Sequence, residues 1–100
     1  TFTPRVRVSP EGRNAAHPQI TLDPSGRPFV VWDEIEAGRR RLFAARATAQ
    51  GEFLKPTVFD TAGTAFYPAV ARSGNALLVA WTEGASTESV IRLRHAWVHP

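Results

Sequence analysis

Apolar residues in this chain come in short bursts separated by Gly, Pro, Ser and Asp, and they never settle into the three-and-four spacing of an amphipathic helix. The bursts predict strands over His17 to Leu22, Pro28 to Asp33, Arg41 to Ala47 and Phe53 to Asp60. A second set follows at Phe66 to Arg72, Ala76 to Thr82 and Val90 to Trp97, and one further strand, Thr3 to Ser9, precedes them all. Val, Ile, Phe and Trp fill these pieces, as a pleated, half-buried surface requires, so the expected class is all-β.

The two sets say nearly the same thing. "HPQITLDPSGRPFVVWDE" from His17 returns as "YPAVARSGNALLVAWTE" from Tyr67. Pro18/Pro68 and Ile20/Val70 are 50 residues apart, and Trp32/Trp81, Glu34/Glu83, Leu42/Ile91 and Ala44/Leu93 are 49 apart. Ser25-Gly26 and Ser73-Gly74 lie 48 apart, which implies a two-residue deletion before that turn and a one-residue insertion after it. Phe2, Pro4 and Val6 echo Phe53, Pro56 and Val58. A period of 40 to 50 residues with four strands per unit is that of a propeller blade. The sequence therefore predicts two four-stranded antiparallel blades permuted by one strand, within a single segment covering 1–100. The first repeat is 10–60; the second is 61–100 completed by 1–9. An immunoglobulin-like sandwich accommodates eight short strands but does not explain the repeat.

The order of an "HPQI" or "YPAV" strand, a Ser-Gly turn, an "FVVW" or "LLVAW" strand with an acid after it, and then a strand followed by Gly51 and Phe53 resembles sialidase-like propellers built from bacterial neuraminidase (BNR) repeats. The family's Asp box is degenerate here, reading "TAQGEF" over Thr48 to Phe53 without its aspartate. The resemblance implies a secreted or periplasmic protein and a ring, with six blades the expectation. The other blades would come from self-association or from the rest of a longer propeller. It also implies that loops between blades and the B–C loops share one rim. That rim would carry Arg13, Asn14, His17, Asp33, Glu34 and Arg39 from one blade with Tyr67 and Glu83 from the next. These are the expected ligand-binding residues, for a carbohydrate or a protein. Pro18, Pro68, Trp32 and Trp81 are expected to be structural, with both tryptophans packed between blades.

Composition narrows the chemistry. The net charge is +3, with eleven arginines and one lysine against nine acids, and Arg39, Arg40 and Arg41 form the only basic run. No nucleic-acid motif or interleaved aromatics accompany it, so it reads as a solvated hairpin tip. There is no cysteine or methionine, which removes thiol chemistry and reads as a processed or excised piece. The longest apolar run, Ala76 to Trp81, is six residues, which gives no expectation of membrane insertion. Asp33, Glu34 and Glu36 have the composition of a glycosidase pair, but they read better as the polar end of a strand. His95 and His99 would lie about 13 Å apart if extended, too far for one ion, so neither a metal nor another cofactor is expected. No catalytic residue is assigned. Tyr67, the sole tyrosine, has no base at a spacing that would activate it. The leading expectation is a non-catalytic ligand-binding module; the alternatives are part of a glycoside hydrolase and a purely architectural unit.

Overall fold

The computed structural model describes residues 2–59, 63–85 and 87–96, and all its regular structure is β. Strands β1 (Ala15–Leu22), β2 (Pro28–Glu36), β3 (Arg39–Arg46) and β4 (Thr57–Val58) form one antiparallel sheet in that order. Strands β5 (Ala65–Ser73), β6 (Ala76–Ala85) and β7 (Glu88–Ala96) form a second. Each strand pairs with its neighbour in sequence, so both sheets are meanders without the crossed connections of an immunoglobulin sandwich.

The repeat is written into the register. In the first sheet Ala16 opposes Asp33 and Gln19 opposes Val31, with a bulge between them; in the second, Phe66 opposes Thr82 and Ala69 opposes Ala80, with the same bulge. Both bulges hold a residue and its following proline, His17-Pro18 and Tyr67-Pro68, opposite the tryptophan of the next strand. The hairpins that follow differ by a single residue. Leu22 pairs with Pro28, and Arg72 pairs with Leu77. One deletion in this turn thus replaces the deletion and insertion inferred from the Ser-Gly pairs, which do not superpose.

Three expectations about strands change. The fourth strand shrinks to Thr57–Val58, with Ala47 and Phe53 adding one isolated bridge. Leu54 N–H bonds the Arg46 carbonyl and Phe59 N–H bonds that of Leu42, which leaves one extra residue on this strand around Pro56. Proline has no N–H to continue the ladder there. Residues 2–8 form no strand and do not pair with β7, so the second sheet has three strands among the described residues. The arginine run is no hairpin tip either. Ala37 and Gly38 make the turn, both at positive φ (54° and 81°) as a tight hairpin demands, and Arg39 opposes Glu36 within the ladder.

The two sheets share one core. Phe29, Val31, Leu42 and Ala44 from the first meet Ala65, Leu77, Val79, Trp81 and Ala96 from the second, with Phe59 and Val70 packed at the margin. Trp81 therefore lies between the sheets. Trp32 does not. It sits on the opposite face of the first sheet with Phe43 and Ala45, covered by Val8, Val30 and Phe53. Period-two alternation along β2 requires this, since Trp32 is one residue past Val31. Pro68 is buried, whereas Pro18 is exposed.

The β1–β2 turn is fixed by Asp23, which is fully buried. Its carboxylate accepts hydrogen bonds from the Ser25 hydroxyl (2.6 Å), the Ser25 N–H (2.9 Å) and the Arg27 N–H (3.0 Å), and Arg46 lies 3.3 Å away. Burial alone would raise its pKa. The hydrogen bonds from Ser25 and Arg27 and the charge of Arg46 outweigh burial and leave it below the ordinary 3.8. A depressed carboxylate contributes stability above its unfolded pKa and loses it as pH falls through the folded value. The melting temperature is therefore expected to fall on acidification below about pH 4. The Asp23→Asn protein should be less stable at neutral pH and show a shallower acid limb, measured by calorimetry across that range. Trp32→Ala and Trp81→Ala should each cost about 3 to 5 kcal/mol in chemical denaturation.

Candidate functional site

The bulges carry an unusual backbone. His17 and Tyr67 stand at φ of 56° and 54°, in the left-handed region that bulky side chains avoid, and each precedes a proline. Such strain persists only where its surroundings hold it. What holds it is Asp33. This fully buried carboxylate accepts from His17 Nδ1 (2.8 Å) and the Tyr67 N–H (2.8 Å) on one oxygen and from Arg40 Nε on the other. Arg40 also donates to the Asp33 carbonyl at 3.2 Å. His17 meets Asp33 through Nδ1, which leaves its Nε2 on the other side of the ring for solvent or a ligand.

One carboxylate thus ties equivalent positions of two sheets together. The His17 and Tyr67 rings end 4.0 Å apart, inclined at 39°, and Phe66 meets Tyr67 edge-on at 5.5 Å. Tyr67 is 59% exposed. The pair forms an aromatic ledge at the surface of the sheet junction.

The other residues expected on the rim are placed differently. Glu34 is fully buried on the Trp32 face, where it accepts the Trp32 indole N–H (2.8 Å) and lies 2.6 Å from Arg13 Nε. Arg13 also binds Glu36 at 2.9 Å and sits 5.4 Å over the Phe43 ring, so its charge is committed within the fold. Glu83 repeats the arrangement, accepting from Trp81 (3.2 Å) with Arg92 beside it at 3.2 Å. Arg39 donates to the Gly63 carbonyl at 2.7 Å, linking the sheets. Asn14 is exposed, and its carbonyl accepts from Arg40 at 3.3 Å. Neither Asp33 nor Glu34 is a solvated strand end. The β2–β3 ladder runs on past both, and each is enclosed by its own arginine.

Of the expected set, His17, Asp33 and Tyr67 come together; Arg13, Glu34 and Glu83 serve the tryptophan faces instead. Arg40 was not singled out in the sequence. Strand alternation supplies the missing signal, because it puts Arg40 on the face of Leu42 and Ala44, toward Asp33, and Arg39 and Arg41 on the other. Arg41 pairs with Glu36 there. The hydrogen bonds from Arg13 and Arg41 draw the Glu36 pKa below its ordinary value. Among the described residues no three His, Asp or Glu side chains group to hold a metal ion.

No family model, no curated protein and no solved structure matches this chain.

The Asp33 hub has a direct test. Asp33→Asn keeps the shape but removes the charge that Arg40 and His17 face, and a hydrogen bond to a charged group contributes about 1.5 to 3 kcal/mol. A loss of that size is expected in urea denaturation, along with NMR shift changes at the Tyr67 amide across the junction. An unchanged Tyr67 amide would show that the carboxylate does not hold the bulge.

Proposed function

We propose that the chain is a two-blade segment of a β-propeller and acts as a non-catalytic binding module, with carbohydrate as its ligand and the His17–Tyr67 ledge as its site. The observation that carries the reading is the convergence of two strained pre-proline residues on one buried carboxylate. Holding two bulky side chains at positive φ costs free energy, and the fold does so twice, at equivalent places, to present two rings to solvent. A sugar offers a C–H face and a rim of hydroxyls. The electron-rich faces of aromatic rings suit the first, and the His17 Nε2 with the Tyr67 hydroxyl suits the second. The carboxylates and guanidinia nearby already satisfy one another, which favours a neutral, hydroxyl-rich ligand over a strongly charged one. By resemblance to sialidase-like propellers, such a module belongs to a secreted or periplasmic protein.

The test is a glycan array followed by titration of the hits. Tyr67→Ala should weaken binding at least tenfold, or by about 1.4 kcal/mol. His17→Ala should weaken it comparably, and Ser25→Ala, on a distant turn, should not. Equal affinity in all three proteins would remove the ledge as the site. Turnover of a fluorogenic sialoside would support the hydrolase alternative instead.

A further inference from the structure

We infer that residues 2–8 of one copy complete the β7 edge of a second copy, docking the Trp32 face of the first onto the Ile91–Leu93 face of the second. This rests on the blade reading above and is independent of the ligand reading.

The template is the junction inside the chain. There β4 pairs with β3 at Phe43–Val58 and Ala44–Thr57, Phe59 N–H bonds the Leu42 carbonyl at 2.9 Å, and Phe59 then stacks on Trp81 at 6.4 Å. Leu42 and Ala44 are buried beneath the Trp81 face of the second sheet, with Val70 packed at its margin. In the second sheet the counterparts of Leu42 and Ala44 are Ile91 and Leu93. They oppose Thr82 and Ala80 and are 73% and 64% exposed, with no fourth strand beside them among the described residues. At the other end of the molecule, Ile20 is the counterpart of Val70 and is 65% exposed. Phe2 and Val6, the counterparts of Phe53 and Val58, also lie exposed. Val8 already packs into the Trp32 cluster, next along the chain from Arg7. The exposed Ile91–Leu93 face and the exposed Ile20 margin of the Trp32 face are therefore the two halves of a junction that the chain makes once internally.

Carrying the internal register across gives a specific pairing. An offset of 52 turns Val58 into Val6 and Thr57 into Arg5, and an offset of 49 turns Phe43 into Arg92 and Ala44 into Leu93. Val6 then opposes Arg92, Arg5 opposes Leu93, and Arg7 N–H meets the Ile91 carbonyl. Strand addition of this kind satisfies the bare edge through main-chain hydrogen bonds. Within one chain the first sheet stands between Val8 and the Ile91 face, which favours exchange between copies. The contact joins unlike faces, so it propagates until the ring closes. A propeller of about four to eight blades needs two to four copies.

The chain contains no cysteine, which makes cross-linking clean. Val6→Cys and Arg92→Cys proteins, mixed under mild oxidation, should give a disulfide-linked species of twice the 11.0 kDa chain mass. Ser25→Cys in place of Val6→Cys should give none. Arg92→Cys gives up the ion pair to Glu83, so Arg5→Cys with Leu93→Cys provides a second pair. By light scattering the intact chain should be oligomeric, and Leu93→Asp or deletion of residues 1–9 should reduce it to the single-chain mass. A folded intact chain that stays monomeric as concentration rises would overturn the inference, as would cross-linking confined to single chains carrying both cysteines. Glycan binding by such a monomer would sink the docking and leave the ligand reading standing.

Discussion

The junction between the two sheets depends on one buried negative charge. Asp33 lies fully inside the protein and is tolerable there because Arg40, His17 and the Tyr67 amide each give it a hydrogen. Leaving a buried carboxylate unpaired costs far more than any one of these bonds returns. The surrounding chain therefore has little freedom. The β2–β3 ladder must continue far enough to bring Arg40 level with Asp33, the β1 bulge must turn His17 inward, and β5 must approach until its amide reaches the same oxygen. The strained dihedrals at His17 and Tyr67 follow from this geometry, and so does the side-by-side presentation of their rings.

Apolar packing does the rest, unequally on the two faces of each sheet. Phe29, Val31, Leu42 and Ala44 find a partner in the second sheet, while Trp32, Phe43 and Ala45 are roofed by Val8 and by Arg13 lying over the Phe43 ring. The tryptophans share a second device. Each indole donates to the glutamate two residues on, and each glutamate has an arginine beside it. The arginines come from different places, a loop in one sheet and a neighbouring strand in the other. The chemistry repeats even where the sequence position does not.

This explains the arginine-rich composition. Arg13, Arg40, Arg41, Arg46 and Arg92 each lie beside a carboxylate of the fold, and Arg39 and Arg72 donate to carbonyls of loops outside their own sheet, those of Gly63 and Asp23. The planar, forked guanidinium suits such buried-edge contacts better than an ammonium. Much of the positive charge is thus an internal fastening.

The all-β class, the repeat and six of the strands were legible in the sequence, because short-range alternation and Gly and Pro placement act on each strand separately; the strand expected over Thr3 to Ser9 is not formed and the fourth strand shrinks to Thr57–Val58. The pairing of His17 with Tyr67 was legible too, since both head the same element at a spacing of 50. What the sequence left undecided depended on facing and depth. Whether Asp33 and Glu34 ended in water or in the core turned on how far the β2–β3 ladder ran, which the acids and arginines alone do not say. Whether Trp32 lay between sheets turned on which face of β2 met the second sheet. Period two assigns residues to faces but does not choose between them. Only docking of the sheets made that choice, by bringing the Tyr67 amide to the Asp33 carboxylate, 34 residues away along the chain.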